Sequence, residues 1–140
     1  MTIRRRTGTA ATATITGLAA LHAYWALGGR WPGDDARSLG ETVVGPGAEL
    51  PPAVAVWAVV GLLTTSAAAM ASTAAGRDSR IPARAITWAT GITLLGRGAI
   101  GLPVSLTRGR DTRFGRLDAT LYSPLCLALG AASVQVARDA

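Results

Sequence analysis

Four of the side chains that can move a proton stand at or near the ends of long apolar runs. His22 stands near the end of the first long apolar run, and Glu49 stands just before Pro51, which suits a helix start. Asp118 and Tyr122 are four residues apart, so they share one face if this segment is helical. Burial moves the pKa of such groups and suits them to general acid and base catalysis. The predicted catalytic residues are Asp118, Glu49, His22 and Tyr122.

Aromatic and cationic side chains close to these groups are candidates for contact with a substrate. His22 and Trp25 are three residues apart and share a helix face. Arg97 lies inside the third apolar run, about ten residues and roughly 15 Å from its outer end. At that depth an arginine needs an anionic partner, and Asp118 is the first choice. The predicted substrate-binding residues are Tyr24, Trp25, Trp31 and Arg97.

Most of these residues also have a purely structural interpretation. His22 can satisfy its ring by bonding a helix carbonyl, and Arg97 can form a structural pair with Asp118. Asp118 can instead be a charge at a helix N-terminus, where the helix dipole favours it. Tyr24 and Trp31 can be ordinary interfacial aromatic residues. The sequence leaves these alternatives open.

The elements that position these side chains are four apolar runs. They cover residues 7–27, 50–75, 81–106 and 117–137, and each has the length that crosses a bilayer as a helix. Backbone groups in lipid must be satisfied internally, and the runs are too long for barrel strands. We therefore predict an all-α fold, a four-helix transmembrane bundle, in a single integral membrane domain over residues 1–140.

The charge pattern fits a membrane protein better than a nucleic-acid-binding one. All 14 basic residues are arginines, and most of them flank the apolar runs. With the N-terminus inside, seven arginines fall on the inner side and six on the outer side, so orientation is only weakly specified. We predict a multi-pass protein of the cell membrane whose partners are the bilayer and a lipophilic small molecule, with no nucleic acid. The oligomeric state stays open.

Several common kinds of site are excluded by residue counts. The chain has one histidine and one cysteine, so zinc ligand sets and a CxxC redox motif are absent. The segment 96–101 matches a dinucleotide-binding glycine pattern but lies within a membrane-length run, and its glycines are read as helix-packing positions. We therefore predict no metal and no cofactor.

Two loops on the same membrane face carry opposite charge. The loop over residues 28–49 has four acidic residues against two arginines, and the loop before the fourth run has four arginines against two aspartates. The first of these loops is long for so small a protein, and this length favours a functional role. The pattern predicts either a folded cap with ion pairs between the loops or two solvated loops with weak surface pairs.

Three parts of the sequence carry a resemblance to a family. They are the segment His22-Ala-Tyr-Trp-Ala-Leu-Gly-Gly-Arg-Trp-Pro32, the internal Arg97, and the segment Asp118-Ala-Thr-Leu-Tyr-Ser-Pro-Leu-Cys126. Together they resemble an uncharacterised family of small bacterial four-helix membrane proteins, over almost the whole chain. That resemblance implies the fold and no activity. In size and in its polar, aromatic site the chain is also similar to membrane-bound terpene cyclases.

The second similarity implies an isoprenoid-processing enzyme, most concretely an acid-initiated terpene or meroterpenoid cyclase. Such an enzyme protonates an alkene or epoxide and shelters the cation among aromatic faces. Asp118 is the first candidate for the donor and Glu49 the second, oriented by His22 and Tyr122. If Arg97 pairs directly with Asp118, Glu49 becomes the first. The alternative is a non-catalytic membrane protein, either an accessory subunit or a carrier of a lipophilic ligand.

Overall fold

The structure is a computed structural model that describes residues 3–77 and 81–140, and every regular element in them is helical. The predicted all-α fold is confirmed. A π-helical turn, Asp118–Tyr122, joins the last two helices into one continuous rod. The helices are α1 (Ile3–Ala26), α2 (Ala36–Val43), α3 (Ala53–Ala75), α4 (Ile81–Arg108), α5 (Arg113–Leu117) and α6 (Ser123–Arg138).

Four long rods form a bundle of two closely packed pairs. The first pair is α1 with α3, the second is α4 with α6, and contact between α3 and α4 joins the pairs. Apolar residues from three of the rods form the shared core, because each rod turns its small and branched side chains inward. The core includes Ala11, Ile15, Ala67, Met70, Leu129 and Val136.

Glycines allow α4 and α6 to approach each other closely. A Cβ on Gly91 would lie 3.1 Å from the Gly130 carbonyl, and a Cβ on Gly130 would lie 2.8 Å from the Leu95 nitrogen. Gly98 is equally constrained, at 2.8 Å from the Ser123 carbonyl, whereas Gly96 faces open space. Small residues are the usual means of close helix packing in membranes. The packing interpretation of segment 96–101 is therefore right for Gly98 and wrong for Gly96.

Three helical segments are long and apolar enough to cross a membrane: Ala53–Ala75, Pro82–Arg108 and Arg113–Arg138. Helix α1 has 24 residues, a length of about 36 Å. It is less apolar than the other rods because it contains three arginines and five threonines. Three helices could thus cross a membrane by length and composition, and a crossing by α1 stays a prediction.

The start of α1 and the end of α6 lie at the same end of the bundle. The guanidinium of Arg4 donates to the Asp139 carbonyl at 2.6 Å, which ties the start of α1 to the end of α6. Arg5 donates to the Ala75 carbonyl at 3.5 Å, which places the end of α3 beside them. We call this end the terminal face, and the opposite end the cap face.

The loop between α1 and α3 folds into a cap around α2. Asp35 begins α2 by accepting from the Ser38 backbone N–H at 2.7 Å, and Ser38 Oγ accepts from the Asp35 backbone N–H at 3.0 Å. The Ser38 backbone hydrogen bond is the largest cause that holds the pKa of Asp35 below its ordinary value. Leu39 is fully buried. The first loop is therefore a folded element, as one of the two sequence alternatives expected.

The cap is not held by ion pairs between the two loops. Within residues 3–77 and 81–140 the loop between α1 and α3 forms one ion pair, Arg37 with Glu41 at 3.3 Å, and both residues belong to α2. The second loop reaches the first through Arg113, which donates to the Pro32 carbonyl at 3.3 Å. The expected pairs between the loops are replaced by a guanidinium-to-carbonyl contact, because α5 turns Arg113 toward the backbone of Pro32.

We expect α1 to cross the membrane, because it packs along α3 and its end carries the cap. Reporters fused to the two termini should then report the same side, and a reporter inserted at Gly47 should report the other side. An α1 that lies on the membrane surface would leave three crossings, and the termini would then report opposite sides.

Candidate functional site

An ion pair between α4 and the π turn lies at the centre of the cap-face half of the bundle. Arg97 Nη2 donates to Asp118 Oδ1 at 2.6 Å. The Asp118 side chain is 1% exposed and the Arg97 side chain is 42% exposed. The predicted pairing of these two residues is confirmed. Because only Arg97 is open, Asp118 serves as the buried anchor and Arg97 as the accessible group.

Two serines complete the ion pair. Ser105 donates to Asp118 Oδ2 at 2.6 Å, and Ser123 donates to the same oxygen at 3.0 Å. Ser123 Oγ in turn accepts from Arg97 Nη1 at 3.3 Å, so the network closes on itself. A carboxylate with three donors, one of them a cation, is well stabilised as an anion. The network stabilises Asp118 as an ion-pair partner, and with this direct pairing Glu49 becomes the first candidate for the proton donor.

The π turn explains how one short segment supplies two members of this network. The backbone N–H of Ser123 donates to the Asp118 carbonyl, five residues earlier. Pro124 follows, and it has no N–H with which to continue the α-helical pattern. The wider turn places Asp118 and Ser123 on the same side of the rod. Such turns occur often at functional sites.

Two aromatic side chains near the end of α1 stabilise the turn that follows the helix. Trp25 Nε1 donates to the Trp31 carbonyl at 2.7 Å. The Tyr24 hydroxyl accepts from the backbone N–H groups of Arg30, at 3.3 Å, and of Trp31, at 3.4 Å. Both side chains therefore hold the turn that presents Trp31, whose side chain is 67% exposed. Tyr24 has this structural role and lines neither of the two cavities described next.

The histidine ring is oriented by its own helix. His22 Nδ1 lies 2.8 Å from the Leu18 carbonyl, which can only accept, so Nδ1 carries the proton in the neutral ring. The ring meets Trp25 edge to face, with centroids 4.9 Å apart. The bond to a helix carbonyl is confirmed. It leaves Nε2 as an acceptor.

A cavity of about 360 Å³ gathers four of the predicted site residues. His22, Trp25, Arg97 and Tyr122 contribute to its wall, and most of the rest of the lining is aliphatic. The Tyr122 hydroxyl donates to the Thr42 carbonyl at 3.3 Å, which joins the cap to the π turn. Arg97 thus offers a donor and His22 an acceptor in an apolar space. We call this space the inner cavity.

A larger cavity of about 640 Å³ adjoins it. The two cavities share the side chains of Leu21, Trp25, Val43 and Tyr122. The larger one also has Trp31 from the cap and the arginines of the loop and α5 on its wall. We call it the rim cavity. Its size and its mostly apolar lining are those of a small-molecule site.

Five of the eight predicted site residues line one or both cavities, and Asp118, Tyr24 and Glu49 do not. Asp118 reaches the inner cavity only through Arg97. Glu49 is exposed and lines neither cavity. Sequence reasoning missed Ser105 and Ser123, although Ser123 stands in the quoted motif beside Tyr122. It also missed the arginines of the rim cavity, whose regular spacing at positions 110, 113 and 116 was the available signal.

The potential metal ligands and the single cysteine do not form a cluster in the described part of the chain. In the described part of the chain, no three His, Cys, Asp or Glu side chains converge in a way that could hold a metal ion. Cys126 is a free thiol, half-buried in α6 one turn below the ion pair. The polar and aromatic groups that line the inner cavity are a guanidinium, an imidazole, a phenol and an indole.

Comparison with known proteins gives a family and no activity. A family model described as "Protein of unknown function (DUF3995)" matches residues 15–133. That range begins within α1 and ends within α6, so it contains the ion pair, both cavities and the cap. Searches of curated proteins and of solved structures found no match. The predicted membership of an uncharacterised family is confirmed, and the similarity to terpene cyclases stays a prediction.

We expect Gly101→Ala to destabilise the protein. A Cβ at position 101 would overlap the Arg97 guanidinium and lie 2.6 Å from Ser123 Oγ and 3.1 Å from Asp118 Oδ2. Overpacking of this kind typically costs about 1–3 kcal/mol. Thermal unfolding in detergent can be monitored through the reaction of Cys126 with a thiol-reactive dye. The Gly101→Ala variant should have a lower Tm than the parent protein. Gly96→Ala is the control, since a Cβ there meets nothing within 4 Å. Equal melting temperatures for the two variants would contradict the prediction.

Proposed function

The chain belongs to the DUF3995 family, and we propose that it is a multi-pass protein of the cell membrane that binds a lipophilic small molecule. The proposed site is the inner cavity together with the rim cavity, under the cap. The observation that carries the proposal is the gathering of Arg97, His22, Trp25 and Tyr122 at one apolar space. Charged groups within membrane helices are costly, and they mark ligand sites more often than packing positions.

The polar side of the inner cavity suits one polar group on an otherwise apolar ligand. Arg97 keeps part of its guanidinium open, because Asp118 and Ser123 occupy only some of its donors. His22 keeps Nε2 as an acceptor. A hydroxyl group suits this pair of side chains, because it can accept from Arg97 and donate to His22 Nε2. A fully polar solute would find no further partners on the aliphatic wall.

Access to the rim cavity is favoured from the bilayer. Leu106, Leu121 and Trp31 all line the cavity, and they are 42%, 51% and 67% exposed. Exposed apolar side chains at a cavity mouth are stable against lipid and unfavourable against water. A ligand dissolved in the membrane can therefore enter without leaving the apolar phase.

An acid-initiated terpene cyclase is the second candidate, favoured by the aromatic wall. Trp25, Trp31 and Tyr122 line the rim cavity, and such faces stabilise cations. Glu49 is then the first candidate for the proton donor, since Asp118 is held by Arg97 and two serines. Glu49 would have to move from its exposed position to act. This requirement places simple ligand binding ahead of catalysis.

A fluorescence titration tests the binding proposal. In a Trp57→Phe/Trp88→Phe background, Trp25 and Trp31 remain as reporters at the cavities. Addition of 9,10-dibromostearic acid to the protein in phosphatidylcholine nanodiscs should quench them saturably, because bromine quenches indoles at contact. Val43→Phe, which fills the wall shared by the two cavities, should weaken the apparent affinity by about tenfold. Val54→Phe is the matched control, since Val54 is 75% exposed and lines neither cavity.

Unsaturable quenching, or equal quenching in the two valine variants, would contradict the binding proposal. The same samples should also be supplied with an epoxidised prenyl compound. A cyclic product that Glu49→Gln abolishes would make the protein an enzyme. Binding without product would leave the carrier function.

A further inference from the structure

The rim cavity has three arginines on an otherwise mostly apolar wall. Arg110 comes from the loop after α4, and Arg113 and Arg116 come from α5. The two in α5 are three residues apart, so they lie on one face of the helix. In the described part of the chain no carboxylate lines this cavity. The ligand environment is therefore basic at one side and aliphatic elsewhere.

These guanidiniums retain most of their hydrogen-bonding capacity. Arg113 donates to the Pro32 carbonyl at 3.3 Å and Arg116 to the Asp111 carbonyl at 3.4 Å. Each guanidinium carries five N–H donors. The ion pairs found within residues 3–77 and 81–140 are Arg37 with Glu41 and Arg97 with Asp118, and neither involves the rim. The side chains of three arginines thus border the cavity, neither ion pair neutralises them, and no carboxylate among the described residues lines the cavity.

The neutral polar side chains of the wall already have partners. Ser105 donates to Asp118, and Thr120 donates to the Arg116 carbonyl at 2.7 Å. The Tyr122 hydroxyl and the Trp25 indole each donate to a backbone carbonyl. A ligand in the rim cavity therefore finds its strongest available donors on the three arginines.

We propose that the ligand of the rim cavity is an anionic amphiphile. Its phosphate or carboxylate head binds Arg110, Arg113 and Arg116, and its hydrocarbon chain lies along the leucines and tryptophans of the cavity. This inference rests on the proposed function and specifies its ligand class. Arginine suits such a head because its planar fork of donors can bind an oxyanion through two parallel hydrogen bonds.

Arg108 is the control residue that distinguishes a binding site in the rim cavity from general electrostatic attraction between a basic loop and lipid headgroups. It is exposed at the end of α4, close in sequence to Arg110, and it does not line the cavity. A general electrostatic attraction to an anionic surface would use all four arginines alike. A built site uses only the three that face the cavity.

The test compares head groups on one chain. The Trp57→Phe/Trp88→Phe protein in phosphatidylcholine nanodiscs is titrated with 9,10-dibromooctadecyl phosphate, 9,10-dibromostearic acid and 9,10-dibromostearyl alcohol. The two anions should quench Trp25 and Trp31 at concentrations at least about tenfold lower than the alcohol does, because hydrogen bonds to charged groups are the stronger ones. A triple variant, Arg110→Gln/Arg113→Gln/Arg116→Gln, should remove this preference. Arg108→Gln should retain it.

Two competitors identify the source of the head group. If phosphatidylglycerol in the disc displaces the brominated anionic probes, the ligand of the rim cavity is a bilayer lipid. If inorganic phosphate displaces them, the cavity binds the head group without its hydrocarbon chain. Resistance to both assigns it to a single-chain amphiphile. Each of these three results supports an anionic ligand.

Three results would overturn the proposal: equal affinity for the alcohol and the anions, an unchanged preference in the triple variant, or an equal loss in Arg108→Gln. In these cases saturable binding of the probes would still leave the proposed function standing. If none of the three probes quenches, the proposed function fails as well.

Discussion

The ion pair of Arg97 and Asp118 is the contact on which the cap-face half of the bundle depends. A guanidinium about 16 Å inside the end of a membrane-length helix needs an anion, and Asp118 supplies it at 2.6 Å. That need sets the depth of α6 against α4. It also accounts for the two serines, which satisfy the remaining carboxylate oxygen, and for Gly101, where a side chain would displace the pair.

The cavities follow from the same arrangement. The π turn that presents Asp118 and Ser123 to Arg97 also carries Tyr122, which reaches the cap at the Thr42 carbonyl. The cap is thereby held above the ion pair, with the aromatic turn at the end of α1 as its other support. Space remains between the cap, α1 and the π turn because Arg97 is bound from one side only. The structural pair and the proposed ligand site thus share one network of contacts.

Sequence reasoning reached the fold and the central pair because both have strong local signals. Long uncharged runs predict membrane helices, and a deep arginine predicts an acid opposite it. It could not place Glu49 outside the cavities, because the path of the loop between α1 and α3 depends on how α2 packs, with Leu39 fully buried. It also could not foresee the π turn, whose register change brings Ser123 into the network. The apolarity of α1 was overestimated for a simpler reason, since its threonines lower the hydropathy that its length suggests.

A double-mutant cycle on the ion pair tests the central claim most directly. Unfolding free energies of the parent chain, Arg97→Ala, Asp118→Ala and the double variant should be measured in one detergent. Arg97→Ala should cost about 3–5 kcal/mol, because it leaves the buried Asp118 carboxylate without its partner. Asp118→Ala should cost less, because the Arg97 side chain that it leaves unpaired is 42% exposed. The double variant should lose no more than Arg97→Ala does, so the coupling energy should be about as large as the loss in Asp118→Ala, and contacting residues typically show about 0.5–3 kcal/mol. Additive losses, with no coupling, would mean that the two residues stabilise the bundle independently, and would contradict the account.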